Sequence, residues 1–265
     1  MYRNGFFSLA FHALFIAFIV APLVVVMAVS FTGEGFISLP SGGLSLRWFE
    51  ALWANQEMVD AFWLSLNLGL VSATVATFLA VPAALAISRY DFPGRGAITG
   101  FLMSPLMIPS VVLGIAFLRF FSLAQVGGSL WALSITHVIV VLPYALRLTL
   151  ASTIGLERDA EHAALSLGAN RLQTFWRVIL PRIRTGVVGG WLLAFIQSFD
   201  ELTMTVFVAT PGTTTLPVAM YNQISQTIDP LITAASTVLI LGTLAVMLLL
   251  DRLVGLDRVL IGEKQ

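Results

Sequence analysis

Apolar runs of about twenty residues dominate this chain, the length an α-helix needs to cross the roughly 30 Å hydrocarbon layer of a bilayer. Six such runs can be marked, at 7–31, 61–88, 97–121, 129–154, 186–209 and 232–254. Composition agrees: 58% of the 265 residues are hydrophobic and 11% charged, whereas a soluble domain carries about 25% charged residues. So little polar surface cannot cover a globule in water, and within lipid each segment must satisfy its own backbone groups, as helices do. The expectation is an all-α membrane protein of six transmembrane helices, one membrane domain over 1–265 with no soluble domain. The first run is about twice the apolar length of a secretion signal and no small-residue cleavage site follows it, so it reads as a retained helix.

Several chemistries are excluded. Cysteine is absent, which removes disulfides, thiolate metal sites and cysteine nucleophiles. His12, His137 and His162 are too far apart in sequence for metal-ligand spacing and read as polar helix residues. There is no HExxH or GxSxG pattern. The phosphate-binding GxxxxGK[ST] loop is also missing, and the sole lysine is Lys264. The chain is expected to be no enzyme and to hold no cofactor. A net charge of zero gives no reason to expect a nucleic-acid partner.

Charge placement sets orientation. Of the 14 Lys and Arg residues, Arg47 and Arg119 alone fall on one side of the six runs. The other side holds Arg3, Arg89, Arg95, Arg147, Arg158, Arg171, Arg177, Arg182, Arg184, Arg252, Arg258 and Lys264, which puts both termini in the cytoplasm. The first outer loop, 32–60, is acidic: Glu34, Glu50, Glu57 and Asp60 stand against Arg47.

Two runs contain helix breakers. Pro105, Pro109 and Gly114 interrupt the third and Pro143 the fourth, each proline removing a backbone donor and kinking its helix unless neighbours compensate. The fifth contains Ser198, Phe199, Asp200 and Glu201. One ionised carboxylate near mid-helix costs roughly 2.5–3.5 kcal/mol, so two adjacent ones need water, a counter-charge or a cationic ligand. Counted from residue 186, Asp200 lies roughly 21 Å along the helix, past the midplane toward the outside. Adjacent side chains diverge, so at most one acid faces a pathway while the other packs against a neighbour. These acids read either as an attraction for an amine or as half of a salt bridge with Arg119. Trp48, Phe199 and Tyr221 are candidate aromatic contacts for a cation, and Trp and Tyr also anchor membrane interfaces.

The one sizeable inner loop, 155–185, has the pattern of two short amphipathic helices. Ala160, Ala163, Ala164 and Leu167 share one face of the first, and Gly168 is its expected stop. Leu172, Phe175, Trp176, Ile179 and Leu180 form the bulky face of the second, expected to pack on the protein's own core, with Pro181 limiting its continuation. An alanine face lets a partner's backbone approach closely, which suits docking in a groove. A helix resting on lipid headgroups uses large apolar residues and lysine instead.

This loop resembles the signature loop of membrane subunits of binding-protein-dependent ATP-binding cassette (ABC) importers: Glu-Ala-Ala, three residues, Gly, nine residues, Ile-x-Leu-Pro. Aligned on Gly168 without a gap, Ala163, Ala164, Val178, Leu180 and Pro181 fall on the pattern. Val178 replaces isoleucine, and His162 stands at the glutamate position with Glu161 just before it. The stretches 198–224 and SPLMIPSVVLGIAF are similar to spermidine/putrescine-type permease subunits. The resemblance implies a type I importer fold in which Glu161, His162, Ala163, Ala164, Gly168, Val178, Leu180 and Pro181 couple to an ATPase dimer. ATP and magnesium then bind on that partner. It further implies a second homologous permease subunit, a periplasmic substrate-binding protein, and multi-pass residence among the lipids of a bacterial inner membrane. Ser198, Phe199, Asp200, Glu201, Trp48 and Tyr221 then line the path of a small amine, putrescine or spermidine. An importer of another small organic solute, or an ion-coupled secondary transporter using Asp200 and Glu201, is the alternative.

Overall fold

The structure is a computed structural model that describes residues 5–154, 156 and 159–254. Arg3, Arg158, Arg258 and Lys264, read above as inner-side charges, lie outside the described residues, as do positions 155 and 157 of the loop. In chain order the α-helices are α1 (Phe6–Val29), α2 (Arg47–Ala54), α3 (Gln56–Arg89), α4 (Arg95–Met103), α5 (Ser110–Leu123) and α6 (Leu130–Thr153). Then come α7 (Asp159–Ser166), α8 (Arg171–Thr174), α9 (Leu180–Phe199), α10 (Thr205–Val208), α11 (Leu216–Gln226) and α12 (Leu231–Val254). Helices occupy each of the six apolar runs, and the described residues contain no strand.

Four helical segments are long and apolar enough to cross a bilayer, at 7–29, 56–89, 130–153 and 171–199. One further apolar helix pair is bent: α4 with its 3-10 turn at Ser104–Leu106 meets α5 at 98°. Pro105 and Pro109 stand at this bend, where each withholds an N–H from the helix ladder. Pro143 behaves differently. It is buried within α6, which runs through it unbroken. The sixth run is α12, apolar over 231–245.

The chain divides into two compact units, residues 1–60 with 219–250, and 61–218 with 251–265. In the first unit α1 is apolar on every side and exposed along most of its length, as a helix surrounded by lipid or other membrane helices is. The segment 32–60 is not a plain loop. It carries α2, and α3 already begins at Gln56 because the Asn55 side chain accepts from the Met58 amide at 3.1 Å, an N-cap bond.

The second unit is organised by α3, α6 and α9. Ala73, Ala76, Ala80 and Ala84 of α3 meet Val141, Ala145 and Leu146 of α6 and Ala194 of α9, all fully buried. Between lipid-embedded helices there is little hydrophobic gain, so close van der Waals approach of small residues holds them. Gly186 and Gly190 continue that logic on α9. A Cβ on Gly190 would stand 2.9 Å from the Ala145 carbonyl oxygen, and one on Gly186 would stand 2.6 Å from that of Leu148.

Candidate functional site

The loop 155–185 carries α7 and α8. No residue of α7 is buried. Its stop is a Schellman motif: Gly168 is left-handed at φ +88°, its amide bonds the Leu165 carbonyl, and the Ala169 amide bonds that of Ala164, each at 3.0 Å. Open space surrounds the Gly168 Cα, so the positive φ is what demands glycine there. Asn170 and Gln173 then form a capping box that starts α8. Glycine spacing and cap chemistry together give the loop its two-helix shape.

The two faces expected from periodicity are only partly realised. Ala160 and Ala164 are half-buried against the protein, whereas His162, Ala163 and Leu167 face outward, Leu167 at 88% exposure. On the second face Ile179, Phe175 and Leu180 join Val81, Ile183, Leu85 and Leu156 in a small core. Leu172 and Trp176, expected to pack there, are exposed instead. Nor does Pro181 end the helix. A π-turn at Phe175–Ile179 leads into α9, so helix runs from Arg171 to Phe199. Pro181 cannot donate to the Arg177 carbonyl four residues back, and a π-turn is one way a helix absorbs such a missing bond. Val178 lies half-buried within that turn.

Glu161 turns inward. Its carboxylate accepts from Arg89 Nη1 at 2.7 Å, joining α7 to the last turn of α3. Sequence reasoning missed Arg89 in this role, because the partner is 72 residues away.

The second group of site residues lies where α9 ends. The expected continuous helix through 209 is absent: α9 stops at Phe199, and the chain leaves helical geometry at Asp200 and Glu201 before the single turn of α10. The acids therefore sit at a helix break and not within a helix, and their distance along an unbroken span has no meaning here. Three elements hold the break. His137 of α6 is buried, with Nδ1 2.8 Å from the Ser198 hydroxyl and Nε2 3.0 Å from that of Thr205. Glu201 accepts from the Met204 amide at 2.8 Å. Gly114 of α5 lets α10 approach, since a Cβ there would lie 3.1 Å from Met204 Cα.

Asp200 is exposed and Glu201 half-buried, so the pair diverges as adjacent residues must. Arg119 is exposed on α5 and pairs with neither acid. Among the described residues the ion pairs are Arg89–Glu161 and Arg95–Asp91. Beside the acids, an aromatic ladder climbs α9 from Trp191 through Phe195 to Phe199, which also meets Phe62 of α3. Trp48 and Tyr221 belong to the other unit. Trp48 is buried there, its indole N–H donating to the Glu34 carbonyl and its ring covered by the Arg47 guanidinium at 4.9 Å. Tyr221 is exposed.

Comparison with known proteins places this geometry. Over 96% of its length the chain superposes, with a TM-score of 0.73 at 13% identity, on 99% of a chain from a bacterial ABC transporter involved in the import of the acidic polysaccharide alginate. The fold is that of a membrane subunit of a type I ABC importer. Residues 76–256 match the family described as binding-protein-dependent transport system inner membrane component, and the chain belongs to that family. It is 29% identical over 247 residues to the spermidine/putrescine transport system permease protein PotC of Haemophilus influenzae, covering 93% of this chain and 94% of the relative. It is 32% identical over 244 residues to the putrescine transport system permease protein PotI of Escherichia coli strain K12, covering 87% and 84%. The chain is thus an inner-membrane permease that works with an ATPase and a binding protein, and the ion-coupled alternative is set aside.

Proposed function

We propose that this permease forms half of the path for a small organic cation of the putrescine and spermidine class. The observation that carries the reading is the pair of acids at the α9 break, where Asp200 is exposed and neither carboxylate forms an ion pair among the described residues. A carboxylate in that state favours an arriving ammonium group over an internal counter-charge. The relatives PotC and PotI, named for polyamines, support the same substrate class. Phe199 offers an aromatic face beside the acids, and Ser198 holds the break through His137. Both termini lie in the cytoplasm, a distinct homologous permease supplies the other half, and 155–185 docks on the ATPase dimer, which binds ATP and magnesium and performs all hydrolysis.

The test is uptake of labelled putrescine, spermidine and a zwitterionic amine by cells expressing the complete transporter. Asp200→Asn or Glu201→Gln is expected to lower cation uptake about tenfold, the roughly 1.4 kcal/mol of a modest lost charge contact, while the assembly with its ATPase persists. Undiminished uptake in both variants would remove the acids from the path. Transport of the zwitterion alone would refute the cation class.

A further inference from the structure

Of the two ion pairs among the described residues, Arg95–Asp91 joins residues four apart across the exposed α3–α4 turn, whereas Arg89–Glu161 joins distant parts of the chain. The long-range pair is well sheltered, with side chains 13% and 23% exposed. Leu156, Val178, Ile179 and Arg182 line the same recess, so the end of α3, the helix α7 and the π-turn meet at this point. Each charge also suits its own helix: Arg89 lies in the last turn of α3 and Glu161 in the first turn of α7, where the backbone dipoles favour those signs. An eight-residue helix without a buried residue has little apolar area to fasten it. A sheltered charge pair is therefore a principal attachment of α7 to a membrane helix.

We propose that Arg89 and Glu161 form the joint through which displacement of α7 moves α3, Arg89 acting as a positioning residue for energy coupling. This inference rests on the reading of 155–185 as the ATPase-docking loop. The carboxylate next to the signature alanines holds the loop to its own protein, leaving His162 and Ala163 outward for the partner. Through its alanine stripe α3 is packed on α6 and α9, the helices that carry His137 and the break at Asp200. Motion entering at Arg89 thus has a continuous packed route to the acids.

The chain contains no cysteine, so Thr203→Cys, at an exposed position beside the acids, supplies this subunit with a single reporter thiol. The experiment uses the complete transporter in vesicles, with its other subunits made cysteine-free, and follows labelling by a membrane-impermeant maleimide with and without ATP plus vanadate. In the reporter chain trapping is expected to change the labelling rate about fivefold or more, in the range of ordinary coupling free energies. Glu161→Gln and Arg89→Gln should each reduce the change to about twofold or less with the ATPase still bound in equal amount, and Arg89→Glu combined with Glu161→Arg should restore it. A full response in the single variants, a charge swap that restores nothing, or a reporter chain that does not respond with ATPase bound would each overturn the joint alone. Absence of the ATPase from the purified reporter complex would sink the docking reading, and the joint with it.

Discussion

At the scale of single residues, the least replaceable group is His137. It lies inside a membrane helix, both ring nitrogens are occupied by hydroxyls, and those hydroxyls belong to the two elements on either side of the α9 break. In the neutral ring one nitrogen donates and the other accepts, which suits a hydroxyl on each side. His137→Leu leaves Ser198 and Thr205 buried without that partner, at a cost of about 1–3 kcal/mol for an unsatisfied polar group. The expected result is a lower thermal midpoint for the purified complex in detergent. Adding Ser198→Ala and Thr205→Val to His137→Leu should recover much of the loss, because an all-apolar site leaves nothing unpaired. A triple variant no more stable than the single one would show that ring shape, and not hydrogen bonding, sets the requirement.

At the scale of elements, α6 and α9 form the most intimate pair in the second unit, and they do so through missing side chains. Gly186 and Gly190 lie one turn apart on α9 and face Leu148, Ser152 and Ala145 of α6. Gly186→Leu would drive a side chain into the Leu148 carbonyl and the Ser152 side chain, forcing the helices apart, and the expected outcome is loss of folded, monodisperse protein on size-exclusion chromatography. Gly189→Ala is the control. Its Cβ would meet a flexible Leu148 methyl at 3.4 Å, and alanine favours a helix interior by roughly 0.5–1 kcal/mol. That variant should retain wild-type yield and melt no earlier. Equal behaviour of the two variants would mean that helix approach does not govern this interface.

At the scale of the whole molecule, the chain has the fold of an ABC importer permease. Its loop 155–185 offers Leu167, Leu172 and Trp176 outward, apolar residues largely uncovered by their own chain. Leu167 lies immediately before the left-handed Gly168 and contributes nothing to the core, so Leu167→Glu should leave folding intact. If the loop docks on the ATPase, the same change should lower the amount of ATPase that co-purifies by about tenfold, equivalent to roughly 1.4 kcal/mol of binding. Unchanged co-purification would place the docking surface elsewhere.

The lengths of the apolar runs determined that the chain is a bundle of membrane helices, since lipid leaves the backbone few other ways to satisfy its hydrogen bonds. The sequence also determined the bend in the third run, through Pro105 and Pro109, and the turn after α7, through Gly168, because those constraints act within a few residues. It did not reveal the end of α9. Leu202 to Val208 contains no proline or glycine, and the break there is held by His137 across 61 and 68 residues of chain. Periodicity likewise placed Leu172 and Trp176 on the face of Phe175 and Ile179, but the π-turn altered the register between them, and only packing reveals which side chains find cover. Only the folded chain brings Glu161 to Arg89. Local propensity acts over one turn of helix, whereas the partners of buried polar and charged groups are chosen by which helices lie side by side, and that is a property of tertiary packing.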